Sequence, residues 1–257
     1  MLTPGLKRFL RRLYPWQVSR RDTTYVKVRY LAGQIPLWWM AKSRRWAVQR
    51  MAIRVVDNNR GGAYNATDVR LYSDIVRRRH YLRRWPVPPN KKILVYLADI
   101  DGLQPGPAGV AGMMMFSLIP SNHIVVEALR ARGADLHQCE VLTLVRCWRA
   151  DDLTPDVAPN FTPQFLRRVI RGHAVQALPS LRDVWVARKC NERLEAQPRL
   201  LVTYADPAQG HDGALYRAAD AVFCGTAKDG KLLFAWALED GLRDDLMACA
   251  VKEIAVE

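Results

Sequence analysis

The spacing of apolar positions changes character along the chain, and the changes mark its elements. Over residues 37–55 the apolar residues recur at helix-compatible intervals, interrupted by Ser43, Arg44 and Arg45. Arg60-Gly61-Gly62-Ala63-Tyr64-Asn65 is turn chemistry and sets a boundary near residue 60. Beyond it, Thr67 or Asp68 can cap a helix that runs toward Arg79, with Val69, Leu71, Tyr72, Ile75 and Val76 on its apolar side. From Lys92 the pattern becomes that of strands. Residues 93–99 and 109–118 are apolar runs rich in β-formers, joined through Asp101-Gly102, and they predict an antiparallel pair. A third strand follows at 140–148, then a loop with Asp151, Asp152 and Pro155. Helices are expected over 162–178 and 181–196. The last third reads as a buried strand at 200–204, a short helix at 213–220, a strand at 221–224 and, after the Asp229-Gly230 turn, a final strand at 231–238. Strands first, then strands alternating with helices, predict an α/β (α+β) layer architecture around a mixed sheet. No period of 20 to 50 residues repeats, which sets solenoids and propellers aside.

Length and charge divide the chain further. A chain of 257 residues accommodates one α/β domain of roughly 200 residues and an appendage. Residues 1–60 therefore read as a basic extension carrying Trp16, Trp38, Trp39 and Trp46, and residues 61–257 as the α/β domain. The formal charge of +14 is not spread evenly. Residues 1–92 hold 22 lysines and arginines against four aspartates, a net of +18, while the remainder is slightly acidic at −4. A block of that sign attracts a polyanion, either nucleic acid or an anionic membrane surface. The longest apolar runs, 93–98 and 110–116, are far shorter than the roughly 18 residues of a membrane span. No integral membrane protein is expected. The five cysteines form no C-x-x-C pair and their number is odd, so neither a zinc knuckle nor a disulfide framework is indicated. The first 16 residues are punctuated by Lys7, Arg8, Arg11 and Arg12 and show no secretory apolar core. An intracellular, reducing location is the expectation.

Two stretches could carry chemistry. In Arg77-Arg78-Arg79-His80-Tyr81-Leu82-Arg83-Arg84-Trp85-Pro86, guanidinium forks suit phosphates, and Tyr81 and Trp85 offer stacking faces for bases. The plainer reading is a solvated basic helix end with the two rings in the core. In Leu201 to Ala219 a buried strand ends at Asp206, a glycine-flanked loop carries His211 and Asp212, and a short helix presents Tyr216. Catalytic groups of open sheets gather at the carboxyl ends of strands. Asp206 can accept a proton or bind a metal, and Tyr216 can donate a proton to a leaving group. Equally, Asp206 can merely cap the turn and Tyr216 merely pack. His123, His137 and His173 receive no special role, Cys147 and Cys224 read as small core residues, and Met113-Met114-Met115 as strand core.

The residues of 201–225, with Tyr204-Ala205-Asp206, Gly210-His211-Asp212-Gly213 and Tyr216-Arg217-Ala218-Ala219, resemble the Mom family of bacteriophage DNA-modification proteins, divergent relatives of the GNAT-fold acyltransferases. His80-Tyr81-Leu82 and the strand from Val141 to Trp148 are similar in kind and order, so the likeness spans about residues 68–238. It implies a GNAT-like central mixed sheet flanked by helices, and a transferase that modifies the exocyclic amine of adenine in duplex DNA, protecting phage DNA from restriction in the cytoplasm of the bacterial host. It implies acetyl-CoA or a related acyl-CoA as cofactor, and an iron ion. His80, Tyr81, Asp206 and Tyr216 would be catalytic, His80 and Asp206 the metal ligands in the iron version, and Arg146 the cofactor contact at the end of the central strand. Arg77, Arg78, Arg79, Arg83, Arg84 and Trp85 would hold DNA. In a metal-free version Asp206 or His80 takes the amine proton and Tyr216 protonates the departing thiolate; the sequence leaves both open. A non-enzymatic DNA-binding protein on the same scaffold, or an acyltransferase for a small molecule or protein, are the alternatives. One departure is plain: where GNAT enzymes cradle pyrophosphate on a glycine-rich turn, the loop 151–162 has no glycine.

Overall fold

The apolar run at 93–117 builds the centre of the sheet. Ile93–Ile100 (β2) and Val110–Ser117 (β3) pair antiparallel, as their pattern predicts. Every residue of β3 is buried, Met113, Met114 and Met115 included. A strand covered on both faces is apolar throughout, without alternation. The structure, a computed structural model, describes residues 51–56, 66–80, 82, 93–100, 105–118, 124–153, 158–173, 177–187 and 197–250. The sheet grows outward from the central pair. Met51–Val56 (β1) lies antiparallel to β2, and Val141–Arg149 (β4) antiparallel to β3. Leu200–Ala205 (β5), Val222–Thr226 (β6) and Leu232–Ala237 (β7) complete seven strands in the order β1-β2-β3-β4-β5-β7-β6. Of these described strands only β4 and β5 pair in parallel.

Among the described residues the α-helices are Ala66–Asp74 (α1), Ile124–Ala131 (α2), Ala158–Arg171 (α3), Leu181–Ala187 (α4), Ala214–Arg217 (α5) and Arg243–Ala248 (α6). Alternation along β5 assigns them to two layers. Leu201 joins a core with Tyr72 of α1, Phe165 of α3 and Trp185 of α4, whereas Leu200 and Val202 join a second core with Leu129 of α2 and Leu246 of α6. The architecture is thus α/β, a mixed sheet flanked by helices. No helix among the described residues is long and apolar enough to cross a membrane.

The differences from the sequence reading have physical causes. β1 falls at the end of the 37–55 stretch read as helical and before the boundary drawn at residue 60; its Ile53, Val55 and Val56 are β-branched and pair with β2, and tertiary pairing overrides a weak period. α3 begins before residue 162 and ends at Arg171, well short of 178. Gly172 stops it at φ 76°, where a Cβ would lie 2.8 Å from the Leu178 carbonyl oxygen, and the His173 amide bonds that same oxygen at 2.7 Å. α4 opens on a reciprocal cap: the Asp183 amide donates to Ser180 Oγ at 3.2 Å, and the Asp183 carboxylate accepts from the Ser180 hydroxyl at 2.6 Å. The remainder of the 181–196 helix, beyond Ala187, lies outside the described residues. α2 and α6 have no counterpart in the sequence reading.

α3 is held hard against the sheet at Gly112 of β3. A Cβ there would sit 2.6 Å from Cε1 of Phe161, so only glycine lets the helix approach this closely. Gly112→Ala is expected to cost about 1–3 kcal/mol of stability by overpacking, read from denaturant unfolding. Unchanged stability would mean that the helix can step back without loss.

Candidate active site

A break in the sheet makes the site. β4 and β5 pair only from Val141 to Thr143 and from Leu200 to Val202. The register of β4 against β3 slips there: Met115 faces Arg146 but Phe116 faces Leu144, which leaves Val145 as a bulge. A bulge bends its strand and increases the local twist. The Thr203 hydroxyl still donates to the Leu144 carbonyl at 3.2 Å, and beyond that point the strands diverge. Between them lies a cavity of about 580 Å³, lined by residues 144–149 of β4, Tyr204 of β5, Thr162 and Pro163 of α3, and His80, His211 and Tyr216. Its size is that of a small-molecule site.

Tyr216 is aimed by its neighbours in sequence. Asp212 Oδ1 accepts from the Ala214 amide at 2.9 Å in a turn that leads into α5, whose N-cap is Gly213. Arg217 donates to the Asp212 carbonyl at 2.7 Å and lies over the Phe234 ring at 5.1 Å. The Tyr216 ring packs edge-on against Trp236, centroids 5.9 Å apart, and on Phe234 at 5.5 Å; Trp236 Nε1 in turn donates to the Ala219 carbonyl at 2.8 Å. Farther along, Asp220 accepts from Arg167 at 2.8 Å and from Arg171 at 3.0 Å, tying this turn to α3. Gly213 is required twice over: its φ is 79°, and a Cβ would meet Cζ of Phe234 at 2.2 Å. Gly213→Ala is therefore expected to push α5 off β7, with loss of stability and a changed near-ultraviolet dichroism of Tyr216 and Trp236. An unchanged spectrum would show that α5 is not seated in this way.

His80 also lines the cavity, and its hydrogen bonds hold the end of α1 against β4. It follows a π-helical turn, Ile75–Arg79, closed by its own amide on the Ile75 carbonyl at 2.8 Å, and it is buried. Its Nδ1 accepts from the Leu82 amide at 3.2 Å, and a backbone hydrogen bond ties the ring to Cys147 of β4. Both sides of the imidazole are therefore engaged, which seats the end of α1 on β4. Burial first, then the charges of Arg146 and His211, push its pKa down to about 4, so the ring is neutral at pH 7. Its usual value is about 6.5, so between pH 6.5 and 4 the unfolded chain binds a proton the folded chain does not. Stability is complete above that window and is lost as pH falls through it, by roughly 3 kcal/mol from this residue. Unfolding free energies at pH 7 and pH 4.5 are expected to differ less in His80→Gln than in the parent chain; an equal difference would remove His80 from that window.

The other expected residues separate. Asp206 does not line the cavity. Its side chain accepts from the Ala208 amide at 3.1 Å, and its carbonyl from the Gln209 and His211 amides at 2.9 and 3.1 Å, so it shapes the loop that carries His211. Arg146 lines the cavity and is buried, with Nη1 donating to the carbonyl of the bulge residue Val145 at 2.6 Å. Arg77, Arg78 and Arg79 are exposed; Arg78 and Arg79 reach Asp74 at 3.0 and 3.9 Å. Tyr81, Arg83, Arg84 and Trp85 lie outside the described residues. Among the described residues no group of three or more His, Cys, Asp or Glu could hold a metal ion. Of the two residues expected to hold iron, His80 lines the cavity and Asp206 does not.

Tyr204, His211 and Arg149 line the cavity and had no assigned role in the sequence reading. Tyr204 stands next to the end of β5 in a largely apolar strand that masks it, and burial, with Asp229 adding to it, raises its hydroxyl pKa. His211 stands inside the glycine-flanked motif and carries the signal plainly. Cys147 is inert here, since burial pushes its thiol up to about 12.

Comparison of the sequence with known protein families finds no match, and comparison with curated proteins finds none either. Solved structures do resemble the fold. The aminoglycoside acetyltransferase AAC(6')-Ib in complex with coenzyme A and kanamycin is 12% identical, over 73% of this chain and 94% of its own, with a TM-score of 0.42. The AHL synthase LasI is 14% identical, over 79% and 98%, at 0.38. A putative ribosomal-protein-serine acetyltransferase from Vibrio cholerae is 14% identical, over 57% and 64%, at 0.29.

Proposed function

We propose that this protein is a GNAT-type acyltransferase that modifies the exocyclic amine of adenine in duplex DNA, a modification that would shield phage DNA from restriction. The observation that carries the reading is the cavity between the diverging strands with Tyr216 on its wall. On its β5 side, β4 beyond Thr143 has no strand partner among the described residues. A strand edge offers backbone amides to an extended ligand, as in strand addition. The amide-bearing arm of an acyl-CoA suits that edge: residues 144–149 would hold it, and Arg149, exposed at the end of β4, would meet its phosphates. When bound, acyl-CoA supplies an activated acyl group with a thiolate as leaving group. The Tyr216 hydroxyl is the proton source for that thiolate, and its packing on Phe234 and Trp236 keeps it in place.

DNA as acceptor is supported by the charge. The net +18 of residues 1–92 includes Arg77, Arg78 and Arg79, which are exposed immediately before His80 on the cavity wall. An enzyme acting on a base must extrude it, at a few kcal/mol, and contacts to the flanking phosphates help to offset that. The test is nucleoside mass spectrometry of DNA from cells expressing the chain. An added mass on adenine is expected, and Tyr216→Phe should lower it by about 10²- to 10⁴-fold with fold and DNA binding retained. Unmodified adenine would overturn the reading, and acylation of small amines instead would assign the cavity to a small acceptor. Binding to duplex DNA should weaken with salt, with a log–log slope of about −0.9 per phosphate held. Replacing Arg77, Arg78 and Arg79 together by Gln should flatten that slope; equal slopes would place the DNA contact elsewhere.

A further inference from the structure

We infer that His211 is the base that takes the proton from the acceptor amine. The inference rests on the transferase reading above and adds a catalytic residue to it. Acyl transfer to an amine needs two proton movements, one off the nitrogen and one onto sulfur, and Tyr216 serves only the second.

The cavity wall itself narrows the choice. Its described lining residues include no carboxylate. Arg146 and Arg149 are cations with no proton to gain. Cys147 is held as a thiol by burial, and Tyr204 keeps its proton for the same reason. The His80 ring is engaged by Leu82 and Cys147. Asp206, the expected alternative, is committed to the Ala208 amide and lies off the cavity. What remains is the imidazole of His211, the side-chain type that exchanges protons near neutral pH. It lines the same cavity as His80, and its charge contributes to lowering that ring's pKa.

The loop that carries His211 is built to hold it. On one side its amide bonds the Asp206 carbonyl at 3.1 Å, after the left-handed Gly210 at φ 75°; on the other, the Asp212 carboxylate accepts from the Ala214 amide at 2.9 Å. The same short stretch therefore fixes His211 and Tyr216 on one wall. Residues 207–212 are all exposed, so His211 stands where the cavity meets solvent. An acceptor can reach it there without being enclosed, which suits a base presented by a polymer better than a ligand swallowed whole. As the acceptor nitrogen bonds the acyl carbon and the carbon–sulfur bond breaks, His211 takes the proton shed by nitrogen. Tyr216 gives its proton to sulfur. His211 then releases its proton to solvent and Tyr216 regains one, so the residues end as they began and the products are an amide and a free thiol.

The experiment compares the full-length chain with His211→Gln. Acetyl-CoA and an adenine-containing duplex oligonucleotide are supplied, and transfer is read by nucleoside mass spectrometry. Transfer is expected to fall by about 10²- to 10⁴-fold, with acetyl-CoA affinity and circular dichroism unchanged, and added imidazole should restore part of it to His211→Gly. A second readout needs no turnover: diethylpyrocarbonate labelling of the parent chain, located by peptide mass spectrometry. His211 should be labelled in the free protein and protected by the duplex together with coenzyme A, while His80 stays unlabelled throughout. If the parent chain adds no mass to the duplex, the transferase reading falls and the inference falls with it. If the parent chain transfers and His211→Gln transfers as fast, or the duplex leaves His211 labelling unchanged, His211 is not the base and the transferase reading stands without it.

Discussion

Two strands cannot pair along their full length when one of them carries an extra residue against its other neighbour. β4 meets this constraint at Val145: to stay in register with β3 on both sides of the bulge it must bend, and the bend takes it away from β5. The interaction that marks the limit is the bond from the Thr203 hydroxyl to the Leu144 carbonyl. Before it the sheet is continuous; after it a cavity opens in what would otherwise be solid sheet. The buried Arg146 bonds the Val145 carbonyl, so the bulge has a dedicated donor and is not left to strain the backbone.

The two helical layers meet different demands around that opening. α1, α3 and α4 pack a core dominated by Phe161, Phe165, Tyr72 and Trp185, and the close approach of α3 at Gly112 brings Thr162 and Pro163 to the cavity wall. α5 closes another side. It is only four residues long, too short to persist on its own, and it is held by Gly213, the Asp212 turn before it and the rings of Phe234 and Trp236. Asp220 extends the clamp to Arg167 and Arg171 of α3, linking the walls that face each other across the cavity. A histidine with both nitrogens engaged, His80, anchors α1 to β4 in the same region.

Much of this was legible in the sequence, for reasons that differ by element. The strands from β2 to β7 announce themselves by apolar runs and by turns such as Asp229-Gly230, and the motif around Asp206, His211 and Tyr216 stands out because a buried strand, two glycines and a helix meet within it. β1 was hidden because six residues at the end of an arginine-rich stretch show no clear period, and their strand state depends on β2, some forty residues later. The fate of Asp206 was equally invisible. A strand-end aspartate followed by proline can face a cavity or fold back on the next amides, and only the turn geometry decides. His80 was found as a cavity residue, but its hydrogen bonds to Leu82 and Cys147 depend on the π-helical turn before it, which no side-chain pattern signals.

The account rests on the divergent part of β4 receiving the donor, and amide hydrogen exchange reads that strand directly. With acetyl-CoA added to the full-length chain, exchange should slow in the peptide covering residues 144–149 and in the loop through Tyr216, while the fully paired β2 and β3 stay unchanged. Protection confined to other segments, or none at concentrations where acetyl-CoA binds, would contradict the account.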